Sequence, residues 1–328
     1  MRQIRVGIIG CGMITRTFHV PAIVRFPELK IEAFSDINKS WADEMAVKYS
    51  APYAFSDYGE MIGKIDMAIV ATPNAYHTSI SKELLKAGIN VLCEKPMGIS
   101  VEECEEVAKA EKDSNAIFMV AHSRRFASNV MLLKKFLDEG KFGDLRNIEL
   151  KLGHSHKQWI TRSGFSFKKE QAGGGVLIDQ GIHLIDLLIW FYDGEIKVVS
   201  IKGKDMLGYG MEDIVEAEFL LDNGGKAVIS SSRVDEWENL CKIEGTKGWA
   251  HFHIDDKTYL LVESRKIRGC ELLGAIQFKT PLTNIYQEQL KCFIKHIKKN
   301  KKPPISADEA IKGIRLMNYC YEKMELSK

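Results

Sequence analysis

No two cysteines in this chain are spaced as Cys-x-x-Cys. The seven stand at positions 11, 93, 104, 241, 270, 292 and 320, an odd and scattered set that suggests neither a disulfide framework nor a zinc site. A reducing compartment is therefore expected. An excess of one charge is lacking too: 46 basic and 44 acidic residues leave a formal net charge of +2, too weak a field to favour nucleic acid or an anionic membrane. The one dense lysine run, from Lys295 to Lys302, abuts Pro303-Pro304 and reads as a solvated helix end. No apolar run reaches the ~20 residues of a membrane-spanning helix. The N-terminus enters a short strand, without the apolar stretch and small-residue cleavage site of a signal peptide. A cytoplasmic protein is expected, with no nucleic-acid or membrane partner.

What is present is ordinary globular material, 45% hydrophobic and 27% charged over 328 residues, enough for about two domains. Short apolar runs at Ile4–Ile9, Ile31–Ser35, Met67–Ala71, Asn90–Cys93 and Ile117–Ala121 alternate with helical patterns. That alternation predicts an α/β, doubly wound parallel sheet over residues 1–122. Ser100 stands three residues before Glu103 and predicts a capped helix start. After residue 123 the pattern changes. A helix at Ser128–Glu139, a strand at Leu145–Gly153, an apolar helix ending at Phe191 and strand-like runs from Lys197 to Val262 predict an α+β domain with a large, mostly antiparallel open sheet over 123–305. A final helix lies within 306–328.

Gly10-Cys11-Gly12 follows the first strand directly. Gly10 is expected to make the tight turn and Gly12 to let a pyrophosphate approach. Met13 and Ile14 would open a helix with its positive end at the phosphates. Thr15 replaces the usual third glycine, which predicts looser helix–strand packing. The next strand ends at Asp36, 24 residues after Gly12, where a carboxylate would bind ribose hydroxyls and repel a 2′-phosphate. NAD is the expected cofactor; Lys39 nearby leaves NADP open.

Ligands of a parallel sheet bind beyond the carboxyl ends of its strands. Here those ends carry Gly10 and Gly12, then Asp36, then Thr72-Pro73-Asn74 with His77, then Glu94-Lys95-Pro96, then His122 with Arg124 and Arg125. Together they predict cofactor contacts from Thr72, Pro73, Asn74, His77, Glu94, Lys95 and Arg125 as well as from the glycine loop. Proline fixes the turn that holds Lys95, whose ammonium could polarise a substrate hydroxyl. Further on, Gly173-Gly174-Gly175 opens the apolar helix, and Asp179 and His183, four apart, share one of its faces. A carboxylate beside an imidazole suits proton transfer. No third ligand accompanies them, so no metal is expected.

Taken in order, Gly10-x-Gly12, Ala71-Thr72-Pro73-Asn74 with His77, Glu94-Lys95-Pro96, Arg125-Phe126 and Gly173-Gly174-Gly175-x-x-x-Asp179-x-Gly181-x-His183 resemble the Gfo/Idh/MocA oxidoreductase family over nearly the whole chain. The resemblance implies an N-terminal Rossmann domain and a last helix packed back on it. It also implies a homodimer or homotetramer formed through the second domain's sheet. It makes Lys95, Asp179 and His183 the catalytic residues: His183 as general acid or base, Lys95 as hydroxyl-polarising donor, Asp179 as orienter. The implied reaction is hydride transfer between NAD(P) and a secondary alcohol or ketone of a sugar, cyclitol or nucleotide sugar. Alternatives are an NAD-dependent glycoside hydrolase of the same family and a non-catalytic NAD(P)-binding sensor. His154, His156, Trp159 and Arg162 precede the glycine cluster; of these His156, Trp159 and Arg162 are expected to grip substrate beside Lys95, Asp179 and His183.

Overall fold

The computed structural model describes residues 3–155, 157, 161–268 and 274–327. Each of the five apolar runs near the N-terminus forms a strand: β1 (Ile4–Ile9), β2 (Leu29–Ser35), β4 (Met67–Val70), β5 (Asn90–Cys93) and β6 (Phe118–Val120), with a short β3 (Tyr53–Phe55) between the second and third. Residues Met67–Val70 are all buried, as expected for a strand covered on both faces. All pairings are parallel, in the order β3-β2-β1-β4-β5-β6. The direction of winding reverses between β1 and β4, so the loops after these two strands diverge and open the crevice where such sheets take ligands. The crossover helices start where side chains cap them. Ser100 accepts from the Glu103 amide at 3.2 Å and Asn38 accepts from the Ser40 amide at 3.3 Å, satisfying donors that a helix end leaves unpaired.

Two compact units result: Met1–His122 with Thr161–Gly173 and Tyr286–Ile314, and Ser123–Ile160 with Gly174–Ile285 and Arg315–Lys328. The sequence reading assigns all of 123–305 to one domain, whereas Thr161–Gly173 and most of the helix Ile285–Lys299 group with the first unit. The contacts explain it. Tyr286 stacks on Phe18 with ring centroids 4.7 Å apart, Lys298 pairs with Glu28 at 2.8 Å, and Asn74 Nδ2 donates to the Ala172 carbonyl at 2.8 Å.

Among the described residues the second unit has nine strands: β7 (Leu145–Gly153), β8 (Ile196–Lys204), β9 (Ile214–Leu221), β10 (Lys226–Ser232), β11 (Leu240–Gly245), β12 (Gly248–His253), β13 (Tyr259–Ser264), β14 (Ile276–Lys279) and β15 (Glu325–Ser327). Their order is β14-β13-β12-β11-β7-β10-β9-β8-β15. Among the described residues, only β7–β10 and β8–β15 of this sheet pair in parallel. Buried residues alternate with exposed ones along β9, so one face is covered; the helix Ile182–Phe191 packs on β7 and β10. By length and composition the stretch Lys169–Phe191 could cross a membrane, contrary to the sequence reading, but 72% of its most apolar window is buried inside the protein. It is a core helix.

The last helix, Ala307–Lys323, divides between the units after Ile314. Its second half belongs to the second unit, not the first, because β15 extends the sheet beyond β8 and Tyr321 Oη donates to Glu212 at 2.8 Å.

Candidate functional site

The first unit carries the glycine loop. Gly10 turns the chain at φ +93°, and a Cβ there would stand 2.3 Å from the Ala71 carbonyl oxygen, so glycine alone fits. Gly12 differs: nothing lies within 4 Å of where its Cβ would go. The loop is thus pressed against the end of β4 at one glycine and opens to free space at the other. Met13 and Ile14, both half-buried, begin the helix. Thr15 does not loosen the packing. It is fully buried and donates Oγ1 to the Gly10 carbonyl at 2.6 Å, tying the loop to its helix.

Asp36, at the end of β2, is anchored to the same loop: Oδ2 accepts from the Cys11 amide at 2.8 Å and Oδ1 from the Asn38 amide at 2.9 Å. Burial and the Asp36 charge push the Cys11 thiol up to about 12, so it stays protonated. The neighbouring cations are already paired. Lys39 meets Asp43 at 2.5 Å. Arg16 donates to the Cys11 carbonyl at 2.7 Å and to both oxygens of Glu44 at 2.5 and 2.9 Å, which holds the Glu44 carboxyl below its ordinary range. Arg162, expected at substrate, instead lies over the Trp41 ring at 5.0 Å and 3.6 Å from Glu44.

At the other strand ends some groups are partly exposed and others hold the turns. Thr72, Pro73 and Lys95 are half-buried. His77, expected at cofactor, is 1% exposed and joins the carbonyls of Pro96 at 2.7 Å and Thr72 at 2.8 Å. Burial pushes its pKa down against the pull of those carbonyls. Asn74 is buried as well, its amide spent on Ala172. Glu94 turns inward: Oε1 meets His19 Nε2 at 2.7 Å, and Oε2 accepts from the Lys95 amide at 3.1 Å. Burial pushes the Glu94 carboxyl up, but the His19 bond and nearby positive charge win and hold it below its ordinary range. His77 and Glu94 therefore hold the turn that bears Lys95, while Asn74 ties its own loop to Ala172. Nothing in the local sequence announces the His19–Glu94 pair, whose members are 75 residues apart.

In the second unit, Arg125 corrects another expectation. It is 5% exposed, donates to both oxygens of Asp186 at 2.8 and 2.7 Å, and lies over the Trp190 ring at 5.1 Å. It forms a core ion pair with Asp186. Asp179 and His183 are half-buried. Asp179 sits in a π-helical turn, Leu177–Gly181, that runs into the helix bearing His183. His154 follows β7 and lies 3.4 Å from Asp255, a carboxylate also held by Asn239 at 2.6 Å. His156 and Trp159 lie outside the described residues.

The glycine loop fits a dinucleotide on two counts. Gly12 leaves a space that a side chain would fill, and a helix N-terminus with its unpaired amides follows at once. Comparison with known proteins agrees. A model of an oxidoreductase family with an NAD-binding Rossmann fold matches residues 4–122, and the GFO/IDH/MocA C-terminal domain matches residues 130–251. A myo-inositol 2-dehydrogenase of Thermotoga maritima is 24% identical over 97% of this chain and 95% of its own. A 3-ketoreductase of Actinomadura kijaniata, solved with NADP and TDP-benzene, superposes with a TM-score of 0.87 at 17% identity over 99% of both chains. A levoglucosan dehydrogenase solved with NADH and levoglucosan gives 0.88 at 22% identity, over 98% of this chain and 97% of its own.

Proposed function

Because the chain belongs to the Gfo/Idh/MocA oxidoreductase family, we propose that it interconverts a secondary alcohol and the matching ketone on a sugar, cyclitol or nucleotide sugar. A myo-inositol 2-dehydrogenase, a levoglucosan dehydrogenase and a 3-ketoreductase solved with TDP-benzene among its relatives and structural neighbours support that substrate class. Bound NAD(P) supplies a nicotinamide ring that accepts or returns the hydride. The loop amides around Gly12 and the helix N-terminus behind them receive the diphosphate. Asp36 receives the adenosine ribose. Its negative charge, with Lys39 and Arg16 already neutralised by Asp43 and Glu44, favours NAD over NADP.

Lys95 Nζ donates to the reacting oxygen of the substrate, stabilising the negative charge it gains as the carbon–hydrogen bond breaks. The His183 imidazole takes the hydroxyl proton in oxidation and returns it in reduction, and Asp179 orients the ring. The observation that carries this reading is the shared edge of the first sheet. The Gly12 loop follows β1, and Lys95 follows β5 in a turn braced by His77 and Glu94.

A spectrophotometric screen of inositols, sugars and nucleotide sugars with NAD and NADP tests it. On the best substrate, Lys95→Met and His183→Ala should each cut turnover at least about 100-fold while NADH still binds. Undiminished turnover in either variant would remove the role assigned to that residue.

A further inference from the structure

Within the triple glycine Gly173-Gly174-Gly175, two positions make room for other parts of the protein itself, the Tyr321 side chain and the Glu212 backbone. A Cβ on Gly174 would stand 2.1 Å from Tyr321 Oη, and one on Gly175 would stand 2.0 Å from the Glu212 carbonyl oxygen. Glu212 is 3% exposed. Its Oε1 accepts from the Gly175 amide at 3.1 Å, the Leu177 amide at 3.0 Å and Tyr321 Oη at 2.8 Å. Its own carbonyl accepts from the Val176 amide at 2.8 Å. One residue therefore takes three successive amides at the start of the segment that bears Asp179 and His183. These are the donors a helix leaves unpaired, and a carboxyl oxygen among them sits at the favourable end of the helix dipole.

The clamp is fixed from behind. Asp213, fully buried, accepts from Arg233 Nε at 2.5 Å and from the Met206 and Leu207 amides at 2.7 Å each. It also transmits forward: the Asp179 amide donates to the Gly175 carbonyl at 3.2 Å, so a shift at Gly175 moves the Asp179 backbone. His183 follows within one turn.

We propose that Glu212, supported by Tyr321, is a positioning residue that sets Asp179 and His183 for proton transfer. The proposal rests on the roles given above to those two residues. Displacing a reacting group by about 1 Å costs on the order of 100-fold in rate, so a clamp one hydrogen bond from Asp179 has leverage that an ordinary buried contact lacks.

Three measurements on Glu212→Gln and Tyr321→Phe test it: kcat and KM on the best substrate, NADH affinity, and the NMR titration of the His183 ring nitrogens. The expected result is a fall in kcat of about 10- to 100-fold for Glu212→Gln and a smaller fall for Tyr321→Phe. NADH affinity should stay within about twofold, and the pH at which the His183 ring titrates should move by about half a unit or more in both. A folded Glu212→Gln protein with wild-type kcat and an unmoved His183 titration overturns the proposal. If Glu212→Gln fails to fold, Tyr321→Phe decides by the same readouts. Should His183→Ala keep full turnover, the catalytic reading falls, whereas the ring titration still judges the clamp by itself.

Discussion

Alanine at Gly10 and alanine at Gly12 should do opposite things. At Gly10 the backbone is at φ +93° and the new methyl would lie 2.3 Å from the Ala71 carbonyl. A left-handed conformation costs an ordinary residue about 1–2 kcal/mol, and overpacking adds about 1–3 kcal/mol. The sum, about 2–5 kcal/mol, lowers the melting temperature of a unit this size by about 4–20 °C. At Gly12 the methyl meets no protein atom within 4 Å, so stability should stay within about 0.5 kcal/mol of wild type. Yet the same methyl enters the space left for a diphosphate, and NADH affinity should fall at least about tenfold, or ~1.4 kcal/mol. Thermal unfolding and NADH fluorescence titration on both variants suffice. Wild-type NADH affinity in Gly12→Ala would refute the phosphate-loop reasoning, and an unchanged melting temperature in Gly10→Ala would refute the steric argument.

Arg125→Ala removes the guanidinium that pairs with the buried Asp186 carboxylate, so stability should drop by about 3–5 kcal/mol while NADH affinity holds; weaker NADH binding in the folded variant would restore Arg125 to the cofactor. The Glu94 carboxyl titrates below its ordinary value in the folded chain. Its contribution is therefore present above the unfolded value of about 4.3 and lost as pH falls through the depressed one. Acid unfolding of Glu94→Gln should accordingly be less steep than wild type through that window. Asp36→Ser should raise the NADP-to-NAD ratio of kcat/KM at least about tenfold, since removing that repulsion is worth ~1.4 kcal/mol; an unchanged ratio would show that Asp36 does not set the preference.

The architecture was legible where burial is written into local pattern. Runs such as Met67–Val70 are buried on both faces and apolar throughout, so they could be read as strands of a covered parallel sheet. Short edge strands escaped because they bury little: β15 is exposed at all three residues and β3 has no buried residue. The motifs around Gly10, Lys95 and Asp179 were legible as spacings. What each polar residue touches was not. Arg125 and His77 look like ligand-binding groups in sequence, but their partners, Asp186 and Pro96, are 61 and 19 residues away. Arg162 found Trp41 and Glu44 by the same long-range closure. Glu212 stands 37 residues from the amide it holds at Gly175, and only the folded chain shows why that position is glycine.

The most direct test of the hydride-transfer account follows the hydrogen itself. NADH carrying deuterium at the transferred position of C4 should be incubated with the ketone form of the best substrate, and the product alcohol analysed by mass spectrometry. The account predicts one deuterium bonded to the new carbinol carbon in the wild-type product, formed at least about 100-fold more slowly by Lys95→Met or His183→Ala. Alcohol formed without label at that carbon would contradict it.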